Sequence, residues 1–128
     1  MSELLQWHFY EKVYRRWVVL FIGPVEKFSE ESGESIPYPS NLNICHLFPK
    51  RNHKSVQAHE TNCIYLTWDE HSKLDNQYLD RHDFSGLEKA FPNSFKLIVE
   101  RMRIVRASVT EKTKYVEAFD KFSESLDF

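Results

Sequence analysis

The sequence predicts a small α+β domain, with helices at both ends and two strands between them. Three observations support this fold class. The chain has 128 residues, of which 41% are hydrophobic, so it can form one hydrophobic core, and residues 1–128 are expected to make a single domain. Helical patterns occupy residues 2–22 and 93–124. Two segments rich in β-branched and aromatic residues lie between these helices.

The first predicted element is a helix over residues 2–22. Its apolar residues recur mostly at steps of three and four, Ser2 can cap its start, and Gly23-Pro24 can end it. Its last segment, WVVLFI, is also typical of a strand, and the pattern leaves that alternative open. The apolar run Trp17–Ile22 is much shorter than the roughly 20 residues that span a bilayer, so no membrane association is expected.

The middle of the chain predicts a loop, two strands and a helix, in that order. Residues 29–41 hold one glycine and two prolines among mostly polar residues, which predicts the longest loop. The segments NLNICHLF and CIYLTW predict the strands, separated by the polar stretch PKRNHKSVQAHETN. Thr67 or Asp69 can cap a helix that begins near Trp68. Tyr65 and Trp68 are both expected in the core.

Two helices are predicted at the C-terminal end. From Phe95 onward, apolar residues at helical spacing form one stripe, and basic residues form a second. The basic stripe consists of Lys96, Arg103 and Arg106. It is expected to face solvent, with an extension of a nucleic-acid surface as the alternative. A break near residues 108–110 separates this helix from a last one that carries Val116 and Phe119.

Charge and cysteine content narrow the functional class. The chain holds 17 basic and 19 acidic residues, for a net charge of −2, so any site for a polyanion must come from local clustering of basic residues. Cys45 and Cys63 are the only cysteines and form no CxxC pair, which disfavours a disulfide scaffold or a four-cysteine zinc site. A reduced, cytoplasmic protein is therefore expected.

One group of chemically active residues lies in the middle segment. His46 ends the first predicted strand, Asn62 enters the second, and His71 lies three residues into the helix. Asp75 follows His71 by four residues, which places both side chains on one helix face. In this order and spacing, residues 41–76 resemble the HNH, or ββα-metal, nuclease motif.

The resemblance implies a metal-dependent endonuclease that hydrolyses DNA phosphodiester bonds, with a ββα-metal hairpin and helix surrounded by other helices. It makes His46 the general base, and a neutral imidazole with a pKa near 6.5 can accept a proton from water at physiological pH. It also implies that Asn62 orients the His46 ring. His71 and Asp75 would hold a divalent ion, with Mg²⁺ or Mn²⁺ as the implied cofactor.

Cys45 departs from the family pattern, in which the residue before the base is commonly an acid or a histidine that also binds metal. As a third ligand, its soft thiolate would suit Zn²⁺ or Ni²⁺ better than Mg²⁺. A cysteine at this position therefore has three interpretations: the site binds a different metal, the third ligand comes from another residue, or catalysis has been lost. One alternative function is a catalytically inactive module that binds nucleic acid or protein. Another is a structural zinc site formed by Cys45, His46, Cys63 and His71.

The loop after His46 carries the residues predicted to bind nucleic acid. These residues are Lys50, Arg51, His53 and Lys54. Basic side chains beside a scissile bond would contact phosphate oxygens. The resemblance further implies DNA as the partner and a phage or bacterial setting, with a homodimer or a larger nuclease or recombination complex as possible assemblies.

Overall fold

Two short hairpins precede the helices in the described part of the chain, which is residues 27–36 and 41–128 of a computed structural model. Both hairpins are antiparallel. Their strands are β1 (Lys27–Phe28) with β2 (Ser35–Ile36), and β3 (Ile44–Cys45) with β4 (Ile64–Tyr65). The helix predicted over residues 2–22 lies outside the described residues.

Four α-helices follow the second hairpin in this part of the chain. They are α1 (Trp68–Lys73), α2 (Leu87–Ala90), α3 (Phe95–Arg106) and α4 (Lys114–Ser125). A π-helical segment, Leu74–Leu79, continues α1 directly. The combination of antiparallel hairpins and helices confirms the α+β fold class. None of the helices among the described residues has both the length and the apolar character needed to cross a membrane.

The start of α1 is fixed by hydrogen bonds within its first turn. The hydroxyl of Thr67 accepts the N–H of Glu70 at 3.3 Å, and the Glu70 carboxylate accepts the N–H of Thr67 at 2.9 Å. This reciprocal capping box satisfies two backbone donors. It selects Thr67, rather than Asp69, as the cap, and it places His71 one turn into the helix.

Trp68 is exposed, contrary to the prediction that it lies in the core. Its exposed fraction is 56%, and α1 itself has no buried residue. The inward-facing side chains come later, at Leu74 and Leu79 in the π-helical segment, and both are fully buried. Tyr65, the other residue predicted in the core, is also fully buried.

The segment predicted as the longest loop contains part of the first hairpin. The chain turns at Gly33, whose φ of +74° is a conformation that glycine adopts without strain. The Ser29 hydroxyl donates to the Glu70 carboxylate at 2.6 Å, and Arg101 of α3 makes two 2.7 Å hydrogen bonds to Glu30. Polar residues that suggested a solvated loop therefore bind the hairpin to α1 and α3.

Two residues of the basic stripe of α3, Arg103 and Arg106, hold α4 in place, contrary to the prediction that they face solvent, whereas Lys96 is exposed as predicted. Arg103 donates to the hydroxyl and the carbonyl of Ser123 at 2.8 Å each. Arg106 pairs with the Asp120 carboxylate through two hydrogen bonds of 2.8 and 3.0 Å. The apolar stripe of α3, which includes Met102, is buried in one cluster with α4 and the second hairpin, as its spacing predicts. The two helices are thereby fixed against each other.

Candidate metal centre

Three side chains with ligand atoms meet at one point of the structure. Cys45 ends β3, His71 lies on α1, and Asp75 lies in the π-helical segment. One ligand atom of each lies within 4.8 Å of the other two. They meet because β3 pairs with β4, with Cys45 opposite Ile64, and α1 begins three residues after β4. These three residues, called the metal cluster below, could together hold a metal ion. They are the three residues predicted as ligands from the sequence.

Hydrogen bonds connect the members of the metal cluster. The Cys45 thiol donates to Oδ1 of Asp75 at 3.3 Å, and Nε2 of His71 lies 3.0 Å from Oδ2 of the same carboxylate. On its other side, Nδ1 of His71 donates to the Leu42 carbonyl at 2.6 Å. Metal-binding histidines commonly make such an outer hydrogen bond, which fixes the ring and directs the second nitrogen toward the ion.

The helix changes its winding three residues after His71. In the segment Leu74–Leu79 the backbone is π-helical, and the Asp80 N–H donates to the Asp75 carbonyl, five residues earlier, at 2.8 Å. The sequence placed His71 and Asp75 on one face of a regular helix, and the side chains do meet. No sequence signal indicated the π-helical segment, a feature that is frequent at functional sites.

The metal cluster retains protons near neutral pH. Burial lowers the pKa of His71, but its hydrogen bonds to Asp75 and Leu42 raise it, and the net pKa lies above the ordinary value. Burial raises the pKa of the Cys45 thiol well above its ordinary value, and the negative charge of Asp75 raises it further. Cys45 therefore keeps its proton at neutral pH, and His71 is protonated more often than a free histidine.

The donors of the metal cluster fit a divalent ion. A thiolate, an imidazole and a carboxylate are the ligand types of zinc sites, where bonds of roughly 2.0 to 2.3 Å separate neighbouring ligand atoms by roughly 3.3 to 3.8 Å. Cys45 lies 3.3 Å from Oδ1 of Asp75, and His71 lies 3.0 Å from Oδ2. With one ligand atom taken from each residue, all three atoms lie within 4.8 Å of one another. An ion with two positive charges would take the place of the protons on Cys45 and His71.

Metal binding at the cluster should therefore release protons. Titration with Zn²⁺ near pH 6 should release about two protons per ion, one each from Cys45 and His71, because only the deprotonated groups bind metal. The release should fall toward about one as the pH rises through the pKa of His71, while the apparent affinity increases. Calorimetry in buffers of different ionisation enthalpy measures this number. A Cys45→Ala variant should release about one proton fewer, and an unchanged release would contradict ligation by Cys45.

His46 directly follows Cys45 and lies within the electrostatic influence of the metal cluster. Burial and the positive charge of Lys50 lower the pKa of His46. A hydrogen bond to the Gln57 backbone and the negative charge of Asp75 raise it by less, so the resulting pKa is about 4. The ring is therefore neutral at physiological pH. A general base must be in this protonation state before it accepts a proton.

Asn62 holds the backbone that follows His46. Its Oδ1 accepts the Phe48 N–H at 2.7 Å, and its Nδ2 donates to the carbonyls of Phe48 and Val56 at 3.0 and 3.2 Å. Both hydrogens of the amide group are used on these carbonyls. An orienting effect of Asn62 on the His46 ring would therefore pass through the backbone at Phe48.

The residues predicted to bind nucleic acid do not all reach the surface. Arg51 and Lys54 are exposed, and Lys50 is half-buried. His53 is fully buried, with Nδ1 bonded to a backbone carbonyl at 3.0 Å and Nε2 lying 2.7 Å from the Thr113 hydroxyl. A ring with both nitrogens bonded inside the protein is not available to a phosphate, so the structure removes His53 from the predicted contacts.

Nothing in the sequence indicated that Tyr115 contacts the loop between β3 and β4. The hydroxyl of Tyr115, on α4, donates to the carbonyl of Leu47, directly after His46. Tyr115 lies 68 positions from Leu47 along the chain, and a single tyrosine on an amphipathic helix carries no signal for such a contact. Cys45 and Cys63 are both buried free thiols.

Comparisons with protein-family models, with curated proteins and with solved structures found no match. The functional interpretation therefore depends on the residues of this chain.

Proposed function

We propose that this protein is a metal-dependent endonuclease of the HNH, or ββα-metal, type that hydrolyses phosphodiester bonds in DNA. One observation carries the proposal: a hairpin followed by a capped helix brings Cys45, His71 and Asp75 within 4.8 Å of one another, next to the neutral His46. A lone histidine pair would be weak support. The proposal is stronger because ligand atoms from two separate elements converge beside a candidate base.

Each residue of the site has a separate task in hydrolysis. A bound divalent ion supplies positive charge that stabilises the phosphate and the leaving oxygen. Cys45, His71 and Asp75 would hold the ion, and the Leu42 carbonyl orients the His71 ring. His46 accepts the proton of the attacking water, because its ring is neutral at physiological pH, and its pKa of about 4 makes it a weaker base than a free histidine.

Cys45 determines which ions the site would accept. Its Sγ is fully buried inside the metal cluster, so an ion held there by His71 and Asp75 also meets sulfur. Mg²⁺ and Mn²⁺ prefer oxygen ligands, whereas Zn²⁺ and Ni²⁺ accept thiolate and imidazole. We therefore propose Zn²⁺ or Ni²⁺ as the cofactor, in place of the Mg²⁺ or Mn²⁺ that the family resemblance implies.

Arg51 and Lys54 are exposed in the loop after His46 and should bind DNA phosphates. A variant with both Arg51→Ala and Lys54→Ala should bind a short duplex more weakly, and the slope of log K against log salt concentration should become less steep by about 1 to 2. Fluorescence anisotropy over a range of KCl concentrations measures both quantities. Lys121→Ala, at an exposed position on α4, is the control. An unchanged slope in the double variant would exclude this loop from the DNA surface.

A second candidate function is a catalytically inactive module that binds nucleic acid or protein. The hydrogen bonds within the metal cluster favour it, because Asp75 is already bonded by both Cys45 and His71. The three side chains thus form a closed network in which protons occupy the place of an ion. In such a protein, the network would stabilise the contact between the hairpin and α1 without supporting hydrolysis.

Plasmid cleavage separates the two candidates. Metal-stripped protein is incubated with supercoiled plasmid in Zn²⁺, Ni²⁺, Mn²⁺, Mg²⁺ or chelator, and a labelled RNA is treated in parallel. The proposed function predicts nicking of the plasmid with Zn²⁺ or Ni²⁺, weaker nicking with Mg²⁺, and none with chelator. Plasmid that is retarded on a gel but intact with every ion would favour the inactive module. Cleavage of the RNA alone would reject DNA as the substrate.

A further inference from the structure

The backbone that follows His46 is held from two sides. On one side, Asn62 bonds both backbone groups of Phe48. On the other side, the Tyr115 hydroxyl donates to the Leu47 carbonyl. Leu47 and Phe48 are 0% exposed and Tyr115 is 3% exposed, so water does not replace these hydrogen bonds. Side chains therefore fix three consecutive polar groups of the backbone after the candidate base.

Aromatic packing holds the Tyr115 ring in position. Its centroid lies 5.6 Å from that of Phe48, 5.2 Å from that of His53 and 5.2 Å from that of Phe84. Burial raises the pKa of Tyr115 well above its ordinary value, with smaller contributions from nearby negative groups that include Asp75. The hydroxyl therefore keeps its proton in the neutral range and remains a donor to Leu47.

A second contact fixes the start of α4 against the same loop. Thr113 caps α4, since its hydroxyl oxygen accepts the Val116 N–H at 3.2 Å. The same oxygen lies 2.7 Å from Nε2 of His53, whose Nδ1 lies 3.0 Å from the Pro49 carbonyl. A carbonyl only accepts, so Nδ1 carries the ring proton, and Nε2 of the neutral ring accepts the Thr113 hydroxyl. A continuous chain of hydrogen bonds thus runs from the loop to the helix cap.

A third contact lies just before α4. The Glu111 carboxylate accepts the Ser55 N–H at 2.9 Å and also the Ser55 hydroxyl. The Thr110 N–H donates to the same hydroxyl oxygen at 3.2 Å. The loop between β3 and β4 is therefore bonded to residues 110–115 at three separate points.

We propose that Tyr115 is a positioning residue for His46, acting through the Leu47 carbonyl, and that the start of α4 holds the loop that carries the base. The proposal rests on the proposed nuclease function. A general base must lie within hydrogen-bonding distance of its water, and a misplacement of about 1 Å can lower a rate by roughly 10²-fold. Asn62 bonds the backbone of Phe48 but not the Leu47 carbonyl, and the Tyr115 hydroxyl holds that carbonyl instead.

The Tyr115→Phe variant tests this role, because it removes the hydroxyl and keeps the packed ring. With zinc-loaded protein and plasmid, kcat should fall by roughly 10-fold or more, while KM and the affinity for Zn²⁺ stay unchanged. Thr113→Val, which removes both the contact with His53 and the cap of α4, is a second variant and should also lower kcat. Val116→Ala is the matched control: it weakens packing at the next position of α4 but removes no bond to the loop, and it should keep the wild-type kcat.

Amide hydrogen exchange gives a readout that does not require turnover. In Tyr115→Phe, exchange at the Phe48 N–H should accelerate relative to the slowest amides of α3, whereas in Val116→Ala both should change together. A wild-type kcat in Tyr115→Phe, or an equal loss of kcat in Val116→Ala, would overturn the positioning role even if exchange changes as expected. A wild-type protein that nicks no substrate would refute the proposed function, and the positioning role with it.

Discussion

Replacing His46 with alanine should lower the rate of plasmid nicking by roughly 10²- to 10⁴-fold, the usual contribution of a general base. The reason is that alanine removes the neutral imidazole next to Cys45, and no other imidazole in the described part of the chain occupies this position. The affinity for Zn²⁺ should stay the same, because His46 is not one of the three clustered ligands. Nicking rates and bound zinc, measured on the same preparations, test both statements.

The pH dependence of nicking distinguishes His46 from the ligands. The pKa of His46 is about 4, so its ring stays neutral well below the ordinary titration range of histidine. Lowering the pH from about 7 to about 5 should therefore reduce nicking only as protons displace the ion from His71 and Cys45. Added Zn²⁺ should restore the rate over this range. An acid loss that persists at saturating Zn²⁺ would contradict the low pKa of His46.

Replacing His71 with alanine should remove metal binding and nicking together. Loss of an outer hydrogen bond to a ligand typically costs 10- to 100-fold in metal affinity, so the loss of a ligand itself should cost roughly 10²-fold or more. Co²⁺ is a suitable probe, because thiolate ligation by Cys45 produces a charge-transfer absorption band. The band should appear in the wild-type protein and require far higher Co²⁺ concentrations in His71→Ala.

His59 provides the matched control for this substitution. It is a half-buried histidine in the loop between β3 and β4, and its Nδ1 accepts the Thr61 N–H at 3.1 Å. His59→Ala should leave the Co²⁺ band and the nicking rate close to those of the wild-type protein. Equal losses in the two variants would indicate general destabilisation, and metal binding that survives in His71→Ala would contradict the assigned ligands.

The convergence of the metal cluster could be predicted because it depends on short-range geometry. Two strands joined by a loop and followed directly by a helix place Cys45 near the first turns of that helix. Residues His71 and Asp75 share a helix face by their spacing alone. Thr67 could be recognised as a cap candidate because capping depends on residues only three positions apart. Each of these signals is local in the sequence.

The supports of the loop could not be predicted, because they depend on distant parts of the chain. Burial of His53 requires the Thr113 hydroxyl, 60 positions later, and the Leu47 carbonyl is bonded by a residue 68 positions later. A histidine among basic residues looks solvated until its partner is known. The same reason explains Glu30, which the sequence assigns to a loop and the structure pairs with Arg101 of α3.

The exposure of Trp68 also depends on a feature without a sequence signal. Large apolar residues of an amphipathic helix usually face the core, which is why Trp68 was expected there. In the structure, the buried residues come from the π-helical segment that follows, and the first turn stays at the surface. The indole of Trp68 lies 6.1 Å from the ring of His71, centroid to centroid. The exposed tryptophan is therefore beside the metal cluster.

One titration tests the proposed metal-dependent hydrolysis most directly. Zn²⁺ is added in steps to metal-stripped protein, and bound zinc and the rate of plasmid nicking are measured in the same samples. The nicking rate should rise in proportion to bound zinc and level off at about one ion per chain, as expected for a single site with three protein ligands. Nicking that is absent at full occupancy, or equally fast in chelator, would contradict the assignment of this cluster as a catalytic metal centre.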